Sequence, residues 1–144
     1  MRMLTRLLCV LGLLLSVAFA ESLDETRKKA EEGDAKTQWL LGLMYVNGMG
    51  VIKDYEEAVK WFRLAADQGQ VSAQDYLGTM YREGTGVPKD LVQAHAWFNI
   101  ASAAGEQDAM KHLAWVEKEM TPEQVAKAMK LARELFAKLP KHQK

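Results

Sequence analysis

The sequence predicts an all-α fold, a short α–α solenoid of about two full helical-hairpin repeats with one or two partial ones. Three observations carry this reading. Gly33, Gly69 and Gly105 recur at intervals of 36 residues. Laid over one another without a gap, residues 33–68 and 69–104 share 15 identities, among them four glycines and a Trp-Phe pair. No segment alternates apolar and polar residues as a strand would, whereas a fixed period of this length is the signature of stacked supersecondary units.

The chain opens on MRMLTRLLCVLGLLLSVAFA. Arg2 and Arg6 precede an apolar run from Leu7 to Phe19, and Ala18-Phe19-Ala20 places small residues where a signal peptidase reads. The run falls short of the roughly 20 apolar residues that span a bilayer. Residues 1–20 are therefore expected to be a signal peptide cleaved after Ala20, which puts the mature protein in the periplasm or outside the cell, without stable membrane insertion. Cleavage removes Cys9, the only cysteine, and leaves two more acidic than basic side chains. Such a domain must be stable by packing alone, although export permits disulfides.

Residues 21–139 then form the repeat domain. Ser22 to Glu32 read as a polar N-terminal half-unit (22–32), with Ser22 and Glu25 as a capping box and Ala30 inward. Each full unit, 33–68 and 69–104, reads as two helices joined by a glycine turn. The first helices, about 34–46 and 70–82, carry Ala35, Gln38, Leu41, Gly42 and Tyr45, or their copies, on one face. Gly48 and Gly84 follow, where a left-handed residue ends a helix at low cost. Asp54 and Asp90 cap the second helices, with Glu57 and Gln93 three residues on. Pro88 stays outside the helix it would break. Ala58, Trp61, Phe62 and Ala65 and their copies supply the inward stripe of the second helices, each Trp-Phe pair contributing roughly 2–3 kcal/mol per buried ring. The mid-helix glycines Gly42 and Gly78 cost about 1 kcal/mol relative to alanine, so close backbone approach is expected, against Ala58 or Ala65 and their copies.

The C-terminal capping unit, 105–139, departs from the pattern. Leu113 matches Leu41 and Leu77, but Ala114 replaces the glycine and Glu117 the tyrosine. Thr121-Pro122-Glu123-Gln124 starts the last helix five residues before the register requires. Val125, Ala128, Met129, Ala132, Leu135, Phe136 and Leu139 then form an amphipathic stripe that would seal the stack. Residues 140–144 read as a frayed tail.

The chain carries 144 residues, 19 basic and 19 acidic side chains and 49% hydrophobic residues. That suits a single folded domain and opposes a nucleic-acid binder, which needs excess positive charge. Gly48-Met49-Gly50 and Gly84-Thr85-Gly86 follow helices rather than strands, so they are not phosphate loops. His95 and His112 stand 17 residues apart and read as polar interhelix histidines rather than metal ligands; His142 falls in the tail. Ser22, Ser72 and Ser102 lack a nucleophile context. Glu31-Glu32 and Glu56-Glu57 fit solvated helix surface, and nothing favours a glycosidase pair. No catalytic residue, no metal site and no cofactor is expected.

The segments AKTQWLLGLMYVNGMGVIKDYEEAVKWFRLAADQG and VSAQDYLGTMYREGTGVPKDLVQAHAWFNIASAAG resemble the Sel-one-like repeat, a relative of the tetratricopeptide repeat, through an LGxxYxxGxGVxxD core followed by AxxWF. The resemblance implies a right-handed superhelix that serves as a protein-interaction scaffold, often exported in bacteria. Some exported relatives carry spaced cysteine pairs and are linked to β-lactam or peptidoglycan-like compounds; the mature chain has none. An envelope enzyme or binder acting on cell-wall or β-lactam-like compounds is therefore one alternative. A structural subunit of an envelope assembly is another.

Comparing the two copies separates positions the stack needs from positions free to act. On the first helices the chemistry changes at Lys36, Trp39, Leu43 and Val46, and at Ser72, Asp75, Thr79 and Arg82; the same register gives Asp108, Lys111, Trp115 and Lys118. Each set lies on one stripe rotated away from the core. In tetratricopeptide-like arrays the corresponding positions line a concave groove, so the resemblance makes these twelve residues the partner-binding face, for a protein or peptide segment. The competing reading has Trp39 and Trp115 as core covering the array's ends. The protein is expected to be a monomer that binds no nucleic acid.

Overall fold

Residues 22–141 are described by the computed structural model. The expected signal segment 1–20 with its cleavage site, and His142, lie outside them. Among the described residues seven helices follow one another: α1 (22–31), α2 (Ala35–Asn47), α3 (Tyr55–Asp67), α4 (Val71–Glu83), α5 (Leu91–Ala103), α6 (Gln107–Glu117) and α7 (Pro122–Lys138). The described residues contain no strand.

The helix boundaries come from local chemistry. Asp34, Asp54 and Asp90 sit in extended backbone and accept from the N–H groups of Thr37, Glu57 and Gln93, satisfying donors that a helix start leaves free. At Thr121 the reciprocal box forms in full, Gln124 reaching back to the Thr121 N–H at 2.9 Å. Ser22 is already helical, so it does not cap; Glu25 pairs instead with Lys29 at 2.7 Å. Gly48 and Gly84 end α2 and α4 at φ 69° and 71°, each N–H returning to Met44 or Met80. The hairpins then close identically, Asp54 N–H onto the Tyr45 carbonyl and Asp90 N–H onto the Tyr81 carbonyl.

Packing pairs α2 with α3 and α4 with α5, and stacks α4 on α3 and α6 on α5. Gln38 and Gln74 are buried. They donate to the carbonyls of Ala30 and Ala66 near the C-terminal ends of α1 and α3, which explains why glutamine repeats at a core position: a buried amide needs a fixed partner. α1 is thus the second helix of an incomplete unit, with Ala30 fully inward.

Gly42 and Gly78 do allow close approach, but not to alanines. A Cβ on either would stand 2.6 Å from a ring carbon of Phe62 or Phe98. The aromatic rings, both fully buried, fill the space the missing methyl leaves. The Trp stripe also divides. Trp97 is buried and shares the main core with Ile100 and with Ala132 of α7, whereas Trp61 is half-buried beside the smaller cluster of Ala30, Leu41 and Met44.

The last helix is where the repeat breaks. α6 ends at Lys118 in right-handed backbone instead of a left-handed glycine, and α7 takes α5 as its principal neighbour rather than α6. Its buried stripe is Ala128 and Ala132, flanked by the half-buried Leu131, Leu135 and Leu139; Met129 and Phe136, expected to seal the stack, are exposed. The covered face of α7 runs through Ala128, Leu131, Ala132, Leu135 and Leu139, and at about 100° per residue Met129 and Phe136 lie at its edge, where they stay exposed.

Candidate functional site

The stripe of altered residues sits on α2, α4 and α6, the first helices of successive units. α4 and α6 touch along it. Asp75 Oδ1 meets His112 Nδ1 at 2.9 Å, and the Arg82 guanidinium lies 4.4 Å above the Trp115 ring while pairing with Glu83 at 2.8 Å. A stacked guanidinium of this kind is held by the ring's quadrupole and buries apolar area on both partners. Trp115 remains half-exposed (50%), so its edge and outer face are open to contact.

The twelve residues are not equivalent. Trp39, Leu43 and Val46 are half-buried against the main core, so the N-terminal third of the stripe is largely packing surface. Ser72, Asp75, Thr79 and Arg82 are half-buried, held between neighbouring helices. Lys36, Asp108, Lys111, Trp115 and Lys118 are exposed. Asp108 and Lys111 pair with each other at 2.8 Å, an i, i+3 contact on one exposed helix face. That bond holds the Asp108 carboxyl below its ordinary range and raises Lys111.

His112 belongs to this surface although its position lies outside the stripe. It connects two first helices and stacks on Phe98 with ring centres 5.1 Å apart. Its copy one unit back is Tyr76, which stacks on Phe62 at 5.3 Å; the shared aromatic position was the signal available in the sequence. His95 is an interhelix histidine too. Fully buried, it donates from Nε2 to Glu117 at 2.9 Å, since an ionised carboxylate only accepts. Glu117 thereby makes an α5–α6 link where the earlier units carry tyrosine.

No group of three or more His, Cys, Asp or Glu side chains able to hold a metal lies among the described residues, and no described helix is long and apolar enough to cross a membrane. What the surface offers is an aromatic plane, a guanidinium and paired charges on a rigid helical frame.

Residues 35–70 and 71–106 each match the Sel1 repeat. The chain belongs to the Sel1 repeat family. Two solved structures agree with it. A protective antigen present in uropathogenic Escherichia coli strains, displaying an SLR fold, is 38% identical with a TM-score of 0.76 over 78% of this chain and 24% of its own. A Sel1 repeat protein from Oxalobacter formigenes is 37% identical with a TM-score of 0.65 over 70% of this chain and 29% of its own. The chain thus spans about a quarter of the length of these proteins. No curated protein matches it. The Sel1 fold is commonly a protein–protein interaction scaffold, and its members are generally non-enzymatic.

Proposed function

We propose that this protein is an exported scaffold, periplasmic or secreted, that holds a protein or peptide segment along the α4–α6 part of the stripe. One observation carries the reading: the Arg82–Trp115 stack, reinforced by the Asp75–His112 bond, merges side chains of two successive units into one semi-exposed surface. Trp and Arg are among the residues on which interface energy concentrates, and here the Arg82 side chain is already held against the Trp115 ring. The export half of the proposal rests on the charged start, apolar run and Ala18-Phe19-Ala20 of the first 20 residues.

The test is crosslinking capture from the native envelope with wild type, an Arg82→Glu/Trp115→Ala double variant and a Lys60→Glu control on the exposed side of α3. The double variant is expected to lose captured partner at least about tenfold, the weight of one hot spot, with unchanged helical circular dichroism. Equal capture by the double variant, or loss in the control alone, rejects this face. N-terminal sequencing of the secreted or periplasmic form should begin at Glu21.

A further inference from the structure

The two complete units differ in the side chains that end their second helices. Leu64, Asp67 and Gln68 close α3; thirty-six residues on, Ile100, Ala103 and Ala104 close α5, and Ala35 at the start of α2 becomes Val71 at the start of α4. The backbones are alike, φ −91° and ψ 2° at Gln68 against φ −82° and ψ 0° at Ala104. In the first unit Gln68 crosses to Gln38 at 2.8 Å; Ala104 has no side chain to cross with. The second copy has lost a carboxylate and an amide here and gained a larger apolar group nearby.

The last helix turns this stripped wall into a cavity. Docked on α5, α7 brings Phe136 and Leu139 to Val71, Ile100 and Ala104, and the space they line measures about 660 Å³. Its side chains are apolar apart from Gln74 and Lys141, with no carboxylate among the described residues. Gln74 spends its Nε2 on the Ala66 carbonyl, and its Oε1 is shut off from solvent. The charged group a ligand meets is therefore the ammonium of Lys141, an exposed residue at the mouth. Phe136 stands 61% exposed on the same rim. Asp67 lies outside the lining, its charge met by Arg63 and Lys138. From residue 122 to residue 141 there are five basic and two acidic side chains, so the field on this side of the molecule favours an anion.

We propose that this cavity binds a single-chain anionic amphiphile, a monomeric fatty acid of medium length. Its alkyl tail lies among Val71, Ile100 and Leu139, and its carboxylate pairs with the Lys141 ammonium. The tail covers apolar wall that is otherwise left to water, a gain that grows with chain length. A cationic amphiphile would be repelled by Lys141 and by the basic end of α7. A cavity of this size, apolar with few polar groups, is of the kind that holds small molecules. None of its lining residues belongs to the proposed partner-binding stripe, so the two readings stand or fall separately.

The test titrates hexanoate, octanoate and decanoate, each below its micelle threshold, into the intact protein by methyl NMR, with octan-1-ol as the uncharged control. Affinity is expected to rise about fourfold per methylene, with shifts at the Val71, Ile100, Ala104 and Leu139 methyls. Lys141→Glu should weaken octanoate about fivefold, the weight of an exposed ion pair, and leave octan-1-ol unchanged. The double variant Ala103→Asp/Ala104→Gln restores the first unit's side chains. It should weaken both ligands at least about tenfold, because polar groups then occupy the apolar wall, with unchanged helical circular dichroism. Affinity independent of chain length, shifts confined to other residues, equal effects of Lys141→Glu on acid and alcohol, or undiminished binding in the double variant would each overturn the assignment. So would co-sedimentation with anionic vesicles in the absence of monomer binding. Should the double variant not fold, the chain-length series and Lys141→Glu still decide it.

Discussion

Alanine at Gly78 offers a sharp test of the core, because two physical effects of known sign oppose each other there. In an open helix, glycine to alanine gains about 1 kcal/mol of stability by restricting the unfolded chain. Here the new Cβ would lie 2.6 Å and 2.7 Å from two ring carbons of Phe98, well inside carbon–carbon contact. The ring cannot easily retreat: Phe98 is fully buried, clusters with Ala94 and Val116, and has His112 stacked on it. Relieving the overlap requires a shift of almost 1 Å in a packed interior, and overpacking of this kind costs about 1–3 kcal/mol. Set against the propensity gain, the net expectation is a loss of up to about 2 kcal/mol instead of a gain of about 1 kcal/mol. Urea denaturation at constant slope measures it directly. Phe98→Leu in the Gly78→Ala background should recover part of the loss relative to Phe98→Leu alone, and the same cycle at Gly42 and Phe62 should agree. A variant stabilised by the full propensity gain would refute the ring-on-glycine contact and with it the account of why glycine recurs in mid-helix.

Other consequences separate residues that look alike in sequence. Trp97→Ala should cost about 3–5 kcal/mol, as removal of a fully buried indole does, while Trp61→Ala, half-buried, should cost about half as much; equal values in chemical denaturation would contradict the asymmetric cover of the two units. Gly86→Ala should cost about 2–4 kcal/mol, because φ is +71° and the Cβ would stand 2.3 Å from the Tyr55 carbonyl oxygen. Gly48→Ala has the same left-handed strain but no contact nearer than 3.5 Å, so its cost should stay near 1 kcal/mol; a reversed order of melting temperatures would refute the inter-unit loop contact. The Thr37 hydroxyl, and after it the Thr37 N–H, hold the Asp34 carboxyl below its ordinary value of 3.8. A lowered folded-state value means stability that is present above 3.8 and lost as pH falls through the folded value. Asp34→Asn retains a cap without the charge, so its acid melting curve should fall less steeply than that of wild type over that window; parallel curves would refute the role of the ionised cap.

The repeat, its period and its caps were legible because they depend on local chemistry. Asp54, Asp90 and Thr121 cap helices through their own side chains and the next three residues, and Gly48 and Gly84 end helices through their own φ. The face of the stripe was legible too, since helical spacing alone puts Asp75 and Arg82 on one side of α4. What spacing could not supply was depth. Trp39 and Trp115 hold equivalent rank in the pattern, yet the first leans on the core and the second stands half-exposed under Arg82. That difference depends on which neighbours lie within reach at each end of the array. His112 and Glu117 became structural partners of Asp75 and His95 only because α6 stacks on both α4 and α5.

By itself the sequence determined that this chain is a helical repeat array, for the period of 36 repeats the same local instructions twice and each copy needs a neighbour to cover its apolar face. The path of the last helix was decided by tertiary structure alone. Without a glycine turn after α6, nothing local directs the chain back along its own hairpin, and the apolar side of α7 packs on α5. That docking buries Trp97 more deeply than Trp61, leaves Phe136 exposed at the edge of the covered face and hollows out the space beside Ala104. Each of these follows from contacts between residues far apart in the chain, whose free energy no window of neighbouring residues contains.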